Sequence, residues 1–162
     1  MAEHANQLLL IVGLSLVGVL CGCSCSQETS PPPTVTIRGR TWKVELARTN
    51  QQRYDGLSDR AKVPEGTGML FIYPRPQELE FCMRHCLAAL DIAFLDANGT
   101  VVKTHTMRME PYGRERLTYG SGDRAQYALE VAAGELGKAG VREGDVAEFF
   151  HIPDPAKAEG EP

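Results

Sequence analysis

Residues 90–107 read LDIAFLDANGTVVKTHTM, two apolar-rich runs separated by Asp96-Ala-Asn-Gly99. Asn-Gly between such runs is the strongest short-range signal for a β-hairpin, because both residues tolerate the positive φ of a tight turn. The rest of the chain must then supply strands to extend this hairpin and a second layer to cover it. Residues 35–37 and 42–46 alternate around Arg-Gly-Arg and predict another hairpin. Residues 68–73 form a short apolar run stopped by Pro74, which reads as a buried strand. Residues 78–87, 127–131 and 146–150 are further extended candidates, and 109–123 reads as a loop rich in Gly, Arg and Tyr. Thr49 is placed to cap a helix over 50–57, and 132–139 reads as a short helix interrupted by glycine. Many short strands and two short helices predict the α+β class: a small, mainly antiparallel β domain curled into a partly closed barrel.

The domain occupies only part of the 162 residues. Residues 8–20, LLLIVGLSLVGVL, are apolar for about thirteen positions. That is short of the ~20 needed to span a bilayer and matches the ~7–15 of a signal-peptide core. Leu20-Cys21-Gly22-Cys23 follows at once and resembles the bacterial lipobox, in which the cysteine receives a diacylglycerol and becomes the mature N-terminus. The reading is a signal peptide over 1–22, a lipidated Cys23 opening a Ser/Pro-rich tether over 23–34, a globular domain over 35–152 and a disordered polar tail over 153–162. The run before residue 8 departs from the pattern in having no Lys or Arg, and an uncleaved anchor or a plain secretory peptide are the alternatives. The predicted location is outside the cytoplasm, on the cell membrane or outer membrane, with the membrane itself as a partner through the lipid. A net charge of −4 argues against a nucleic-acid partner.

Cys82-Met-Arg-His-Cys86 raises the question of metal or redox chemistry. In a strand, residues four apart lie about 13 Å from one another at roughly 3.3 Å per residue, beyond the ~7 Å Cα separation of a disulfide. Two thiolates at that distance cannot share a zinc ion either. Leu79, Phe81, Met83 and Leu87 alternate as one apolar face, so a strand is expected here, with inert thiols, no disulfide and no metal; a helix, which would bring Cys82, His85 and Cys86 to one face and suit zinc, is the alternative. No cofactor fingerprint, phosphate loop or nucleophile elbow is present.

Several dispersed motifs together carry a resemblance. They are Gly56-Leu57, Gly68-Met-Leu-Phe71, Phe81-x-Met83, Leu90-Asp-Ile92, Phe94-x-Asp96, Tyr119-x-Ser121, Ala125-x-Tyr127-x-Leu-Glu130 and Gly144-Asp145. In order and spacing they resemble the domain of unknown function 192 family over residues 44–149. That family usually reads Phe-Trp-Met-Lys-Asn-Thr-x-Ile-Pro-Leu-Asp-Ile where this chain has Cys82 for Trp, Arg84 for Lys, His85 for Asn, Cys86 for Thr, and Ala88 and Ala89 for Ile and Pro. The resemblance implies no established activity. Its members are often exported, in agreement with the lipobox.

Five residues are candidates for ligand binding: Arg84, His85, Asp91, Tyr119 and Ser121. Asp91 lies between apolar neighbours in a strand, where a buried carboxylate must be satisfied. Its structural reading is a bond to backbone N–H groups or to Arg84. Arg84 and His85 keep a cation and a hydrogen-bonding group where the family has Lys and Asn. Tyr119 and Ser121 lie in the expected loop, where binding residues concentrate. No catalytic residue is assigned. The functional expectation is a non-enzymatic binding or accessory module of the envelope, meeting a small ligand or an envelope protein. The alternative is a hydrolase-like envelope enzyme using Asp91, His85 and Arg84.

Overall fold

The computed structural model describes residues 30–109 and 117–157. The expected signal peptide, Cys23 and most of the tether lie outside the described residues. Seven strands, β1 (Thr34–Ile37), β2 (Arg40–Ala47), β3 (Thr67–Phe81), β4 (Leu90–Leu95), β5 (Val101–Met107), β6 (Tyr119–Ala132) and β7 (Ala147–Phe150), form one curled half-barrel sheet in the order β5-β4-β6-β3-β2-β1-β7. Two short helices, α1 (Asn50–Asp55) and α2 (Glu135–Ala139), accompany it. The expected β-rich α+β class holds. At one end the two sheet edges meet: Val101 donates to Asp145 O at 2.8 Å and Ala147 to Gly99 O at 2.9 Å.

The predicted hairpin is β4–β5, with Leu90 opposite Met107. Its turn differs in detail from the two-residue expectation. Asp96 Oδ1 accepts from the N–H of Asn98 and of Thr100, both at 2.8 Å, and only Gly99 takes positive φ. The aspartate side chain organises the turn, and the ladder slips by one residue between Phe94 and Leu95.

Every strand pair is antiparallel except β2–β3, which is parallel. A parallel pair needs a crossover, and residues 48–66 with α1 supply it. Thr49 caps α1 in a capping box, its hydroxyl accepting from Gln52 N while Gln52 Oε1 accepts from Thr49 N.

The central strands are buried on both faces. Leu70, Ile72, Ala93, Leu95, Leu129 and Val131 point to one face, with Trp42 and Leu136. Met69, Phe71, Ile92, Phe94 and Ala128 point to the other, covered by Leu57 and Met83. On the first face Glu135 of α2 accepts from Trp42 Nε1, and from Gly66 N at 2.9 Å, tying the helix to the sheet.

Four expectations need correction. Pro74 does not end its strand: β3 runs on to Phe81, with a register break between Ile72 and Gln77. Prolines cannot donate to a ladder, so the pairing opens there. The Gln126 amide donates instead to Tyr73 O at 3.2 Å, and Arg124 to Pro76 O at 2.7 Å. Residues 82–87 are not a strand. The chain turns at Arg84 and His85, His85 has φ +55°, and Cys86 N donates to Met83 O at 3.3 Å. The 13 Å separation inferred for an extended Cys82–Cys86 segment therefore does not apply, although both thiols are free. Residues 119–123 belong to β6, not to a loop. There Ser121 fills an irregularity, accepting from Leu79 N at 3.0 Å and donating to Asp123 O at 2.6 Å. Finally, part of the expected disordered tail is ordered, since Pro155–Lys157 form a 3₁₀ turn whose Lys157 carbonyl accepts from Arg48 at 3.0 Å.

Candidate functional site

Strand parity decides which side chains reach the second face. In β6, Leu129 and Val131 point to the first face, so Glu130 must point to the second with Ala128. Its neighbours across the ladder are Met69 of β3 and Ile92 of β4, both apolar. The crossover brings α1 and residues 56–58 over this face, and the turn after β3 covers it from the other side. Between them a cleft of about 200 Å³ remains, with Glu130, Phe71, Phe81, Cys82 and Cys86 among its lining.

Glu130 is 5% exposed, and its side chain makes no hydrogen bond or ion pair with any described residue. Burial alone pushes its carboxyl up to about 8, so it is mostly protonated at neutral pH. The Cys86 thiol beside it is pushed up to about 11, first by burial and then by the nearby Glu130 and Cys82. Such a thiol is a poor nucleophile at neutral pH. The interior of the cleft is therefore uncharged.

The rim carries charge. Arg84 lies over the Tyr54 ring at 3.5 Å and donates to Tyr54 O. Arg53 lies over the Tyr73 ring at 4.9 Å and donates to Ile72 O at 2.8 Å. Arg53 donates also to Arg48 O and to Asn50 Oδ1, so each guanidinium is held by a ring and by hydrogen bonds. The turn is pinned to the crossover by Ser58 Oγ, which donates to Arg84 O at 2.9 Å, and by Asp59 N, which donates to His85 O at 2.8 Å.

The sequence-predicted residues do not gather in one place. Arg84 lines the cleft, and His85 lies in a neighbouring depression with Asp59 and Arg60, which Arg84 also lines. Asp91 is on the opposite face of the sheet, 2% exposed. Its Oδ1 accepts from Thr106 Oγ1 at 2.8 Å and its Oδ2 from Leu136 N at 3.1 Å, which caps the first turn of α2. It does not pair with Arg84. Tyr119 pairs with Phe81 in the ladder, its hydroxyl accepts from Arg108 N at 3.3 Å, and its ring meets His105 edge-on at 5.7 Å. Ser121 is the buried strut described above. Arg60 pairs with Glu45. Among the described residues no three His, Cys, Asp or Glu side chains are grouped to hold a metal. Glu130 was not singled out by sequence, although Tyr127-Ala-Leu-Glu130-Val-Ala places a carboxylate in an apolar strand just as Asp91 is placed.

The family profile described as DUF192, uncharacterized ACR, matches residues 33–149. The chain belongs to the DUF192 family. Gly56, Leu57, Phe71, Phe81 and Glu130, all within the DUF192 motifs, line the cleft. No curated protein matches the chain. Among solved structures, a protein of Sinorhizobium meliloti 1021, described as a candidate transcription regulator, is 30% identical with a TM-score of 0.63. That match covers 75% of this chain and 97% of that one. A protein of unknown function from Novosphingobium aromaticivorans DSM 12444 is 29% identical with a TM-score of 0.62, covering 72% of this chain and 83% of that one.

Proposed function

We propose that this DUF192 protein is an exported, lipid-anchored envelope protein whose domain is a non-enzymatic binding module, taking a small ligand in the cleft above Glu130. The observation that carries the reading is the Glu130 side chain, buried in the sheet, without a protein partner, and opening on that cleft. A carboxyl that burial pushes up and that opens on a cleft is a functional-site signature. The lipobox and the Ser/Pro tether support the envelope location.

The hydrolase-like alternative asks Asp91, His85 and Arg84 to act together. Asp91 has both oxygens engaged on the far side of the sheet, away from Arg84 and His85. The regulator description of the Sinorhizobium protein finds no support in a chain of net charge −4.

Native mass spectrometry of the full chain, purified gently in wild-type and Glu130→Ala forms, tests the binding reading. A small-molecule adduct on wild type that Glu130→Ala loses is expected. Adducts that persist in Glu130→Ala, or bare chains in both, would remove the cleft as the binding site.

A further inference from the structure

The chemistry of the cleft selects a class of ligand. It offers donors: the protonated Glu130 carboxyl at its deep end and, at its mouth, the Arg84 guanidinium, which meets the Tyr54 carbonyl and ring. The acceptors lie at the outside. Glu80 is on an exposed stretch of β3, and Asp55 is already taken by Gln51 Nε2 at 2.8 Å. The walls between are the rings of Phe71 and Phe81, packed edge-on at 4.9 Å. Resting on the binding reading above, we infer that the cleft takes a small organic carboxylate, its apolar body against Phe71 and Phe81, one oxygen accepting from Glu130 and the anion facing Arg84.

Proton occupancy of Glu130 then governs binding. On β3, Tyr73 and Glu80 face the cleft; on α1, Arg53, Tyr54 and Asp55 do; on the turn, Cys82, Arg84 and Cys86. The β4 neighbour across the ladder is Ile92, which cannot titrate. Tyr73 and Cys86 are both raised by burial, Cys86 to about 11, and Glu130 is raised to about 8, so the Glu130→Gln variant, not the pH dependence by itself, separates Glu130 from the other groups that face the cleft. Its ionisation puts an anion where the ligand carboxylate sits.

The test is NMR titration of the full chain, held in detergent, with benzoate, benzamide and benzylamine as probes. At pH 6.5 benzoate should shift the amides of Phe71, Phe81, Arg84 and Glu130 and bind more tightly than benzylamine. Its affinity should fall roughly thirtyfold by pH 9.5, the loss of the protonated fraction of a group at about 8. Glu130→Gln, which stays neutral, should bind benzoate at pH 9.5 at least tenfold more tightly than wild type. Arg84→Ala, a change at a half-buried rim residue outside the core, should weaken benzoate at least fivefold and benzamide little. Preferential binding of benzylamine with the same amide shifts would overturn the carboxylate inference and leave the cleft as a binding site, with Glu130 as a counter-ion. No shift from any of the three probes would overturn both.

Discussion

Two carboxylates sit in apolar strand runs, and the fold treats them oppositely. Asp91 is satisfied by Thr106 and by the first turn of α2. Asp91→Ala strands a hydroxyl and a buried N–H and should cost about 1–3 kcal/mol, whereas Asp91→Asn keeps one acceptor and should cost less. Melting temperatures of both variants check this: a drop of several degrees for Ala and a smaller one for Asn. Glu130 has no such partner. Its folded value of about 8 lies above the ordinary 4.5, so the folded chain holds a proton that the unfolded chain has already lost. The unfolded state binds fewer protons in that window, and stability falls as pH rises from about 4.5 to about 8, then levels. The full loss is of the order of 3–5 kcal/mol. Glu130→Gln should flatten that slope. It should melt well above wild type at pH 8.5 and close to it at pH 4.5, by scanning calorimetry. Both carboxylates were visible in the sequence as charges in apolar runs. The apolar neighbours of Asp91 told that it must be satisfied but not by what, because that depends on where α2 docks, and the same pattern around Glu130 was not read.

At the scale of elements, the hairpin was legible because its turn and its alternation are local. The errors came where a side chain replaced a ladder bond. Gln126 and Arg124 carry β3 past two prolines, and Ser121 carries β6 through Gly-Ser-Gly-Asp, whose composition reads as a turn. The break at 82–86 has another cause. The alternation of Phe81 and Met83 is genuine, but His85 takes φ +55°, which Asn tolerates better than His and which the family pattern fills with Asn. His85→Asn should therefore raise the melting temperature slightly, and His85→Val should lower it by several degrees. A second element-level constraint sits at the start of β3. A Cβ on Gly68 would stand 2.3 Å from the Glu130 carbonyl oxygen and 2.9 Å from a Val131 methyl. The first contact is with backbone in the middle of the sheet, so it cannot be relieved by a rotamer change. Gly68→Ala should destabilise by about 2 kcal/mol or more and loosen the β3–β6 pairing that supports Glu130. Urea denaturation measures the first effect, and hydrogen exchange at Val131 the second.

The whole molecule adds what no local pattern carries. The parallel β2–β3 pair is invisible to alternation, yet it forces the crossover that lays α1 over the second face and so walls the cleft. The meeting of the two sheet edges at Gly99 and Ala147 is likewise a long-range event. The N-terminal reading belongs to this scale, since it decides where the domain works. An apolar run of about thirteen residues is too short to span a bilayer. If it is a signal peptide, the mature chain needs another hold on the membrane, and a single acyl chain gives only marginal binding. The diacylglycerol that a lipobox cysteine receives supplies two chains, enough for a stable anchor. Cys23→Ala should therefore move the full-length protein from the membrane fraction to the soluble one, while Cys25→Ala should leave it in place. Mass spectrometry of the wild type should find the chain beginning at Cys23 and heavier by the lipid. Retention of Cys23→Ala in the membrane, with wild type of unprocessed mass, would instead make residues 8–20 an uncleaved anchor. A soluble, unlipidated wild type would make them a plain secretory peptide. The cleft chemistry is indifferent to that outcome, but the ligand is not: a tethered module samples the small acids at one membrane surface, a released one those of the whole compartment.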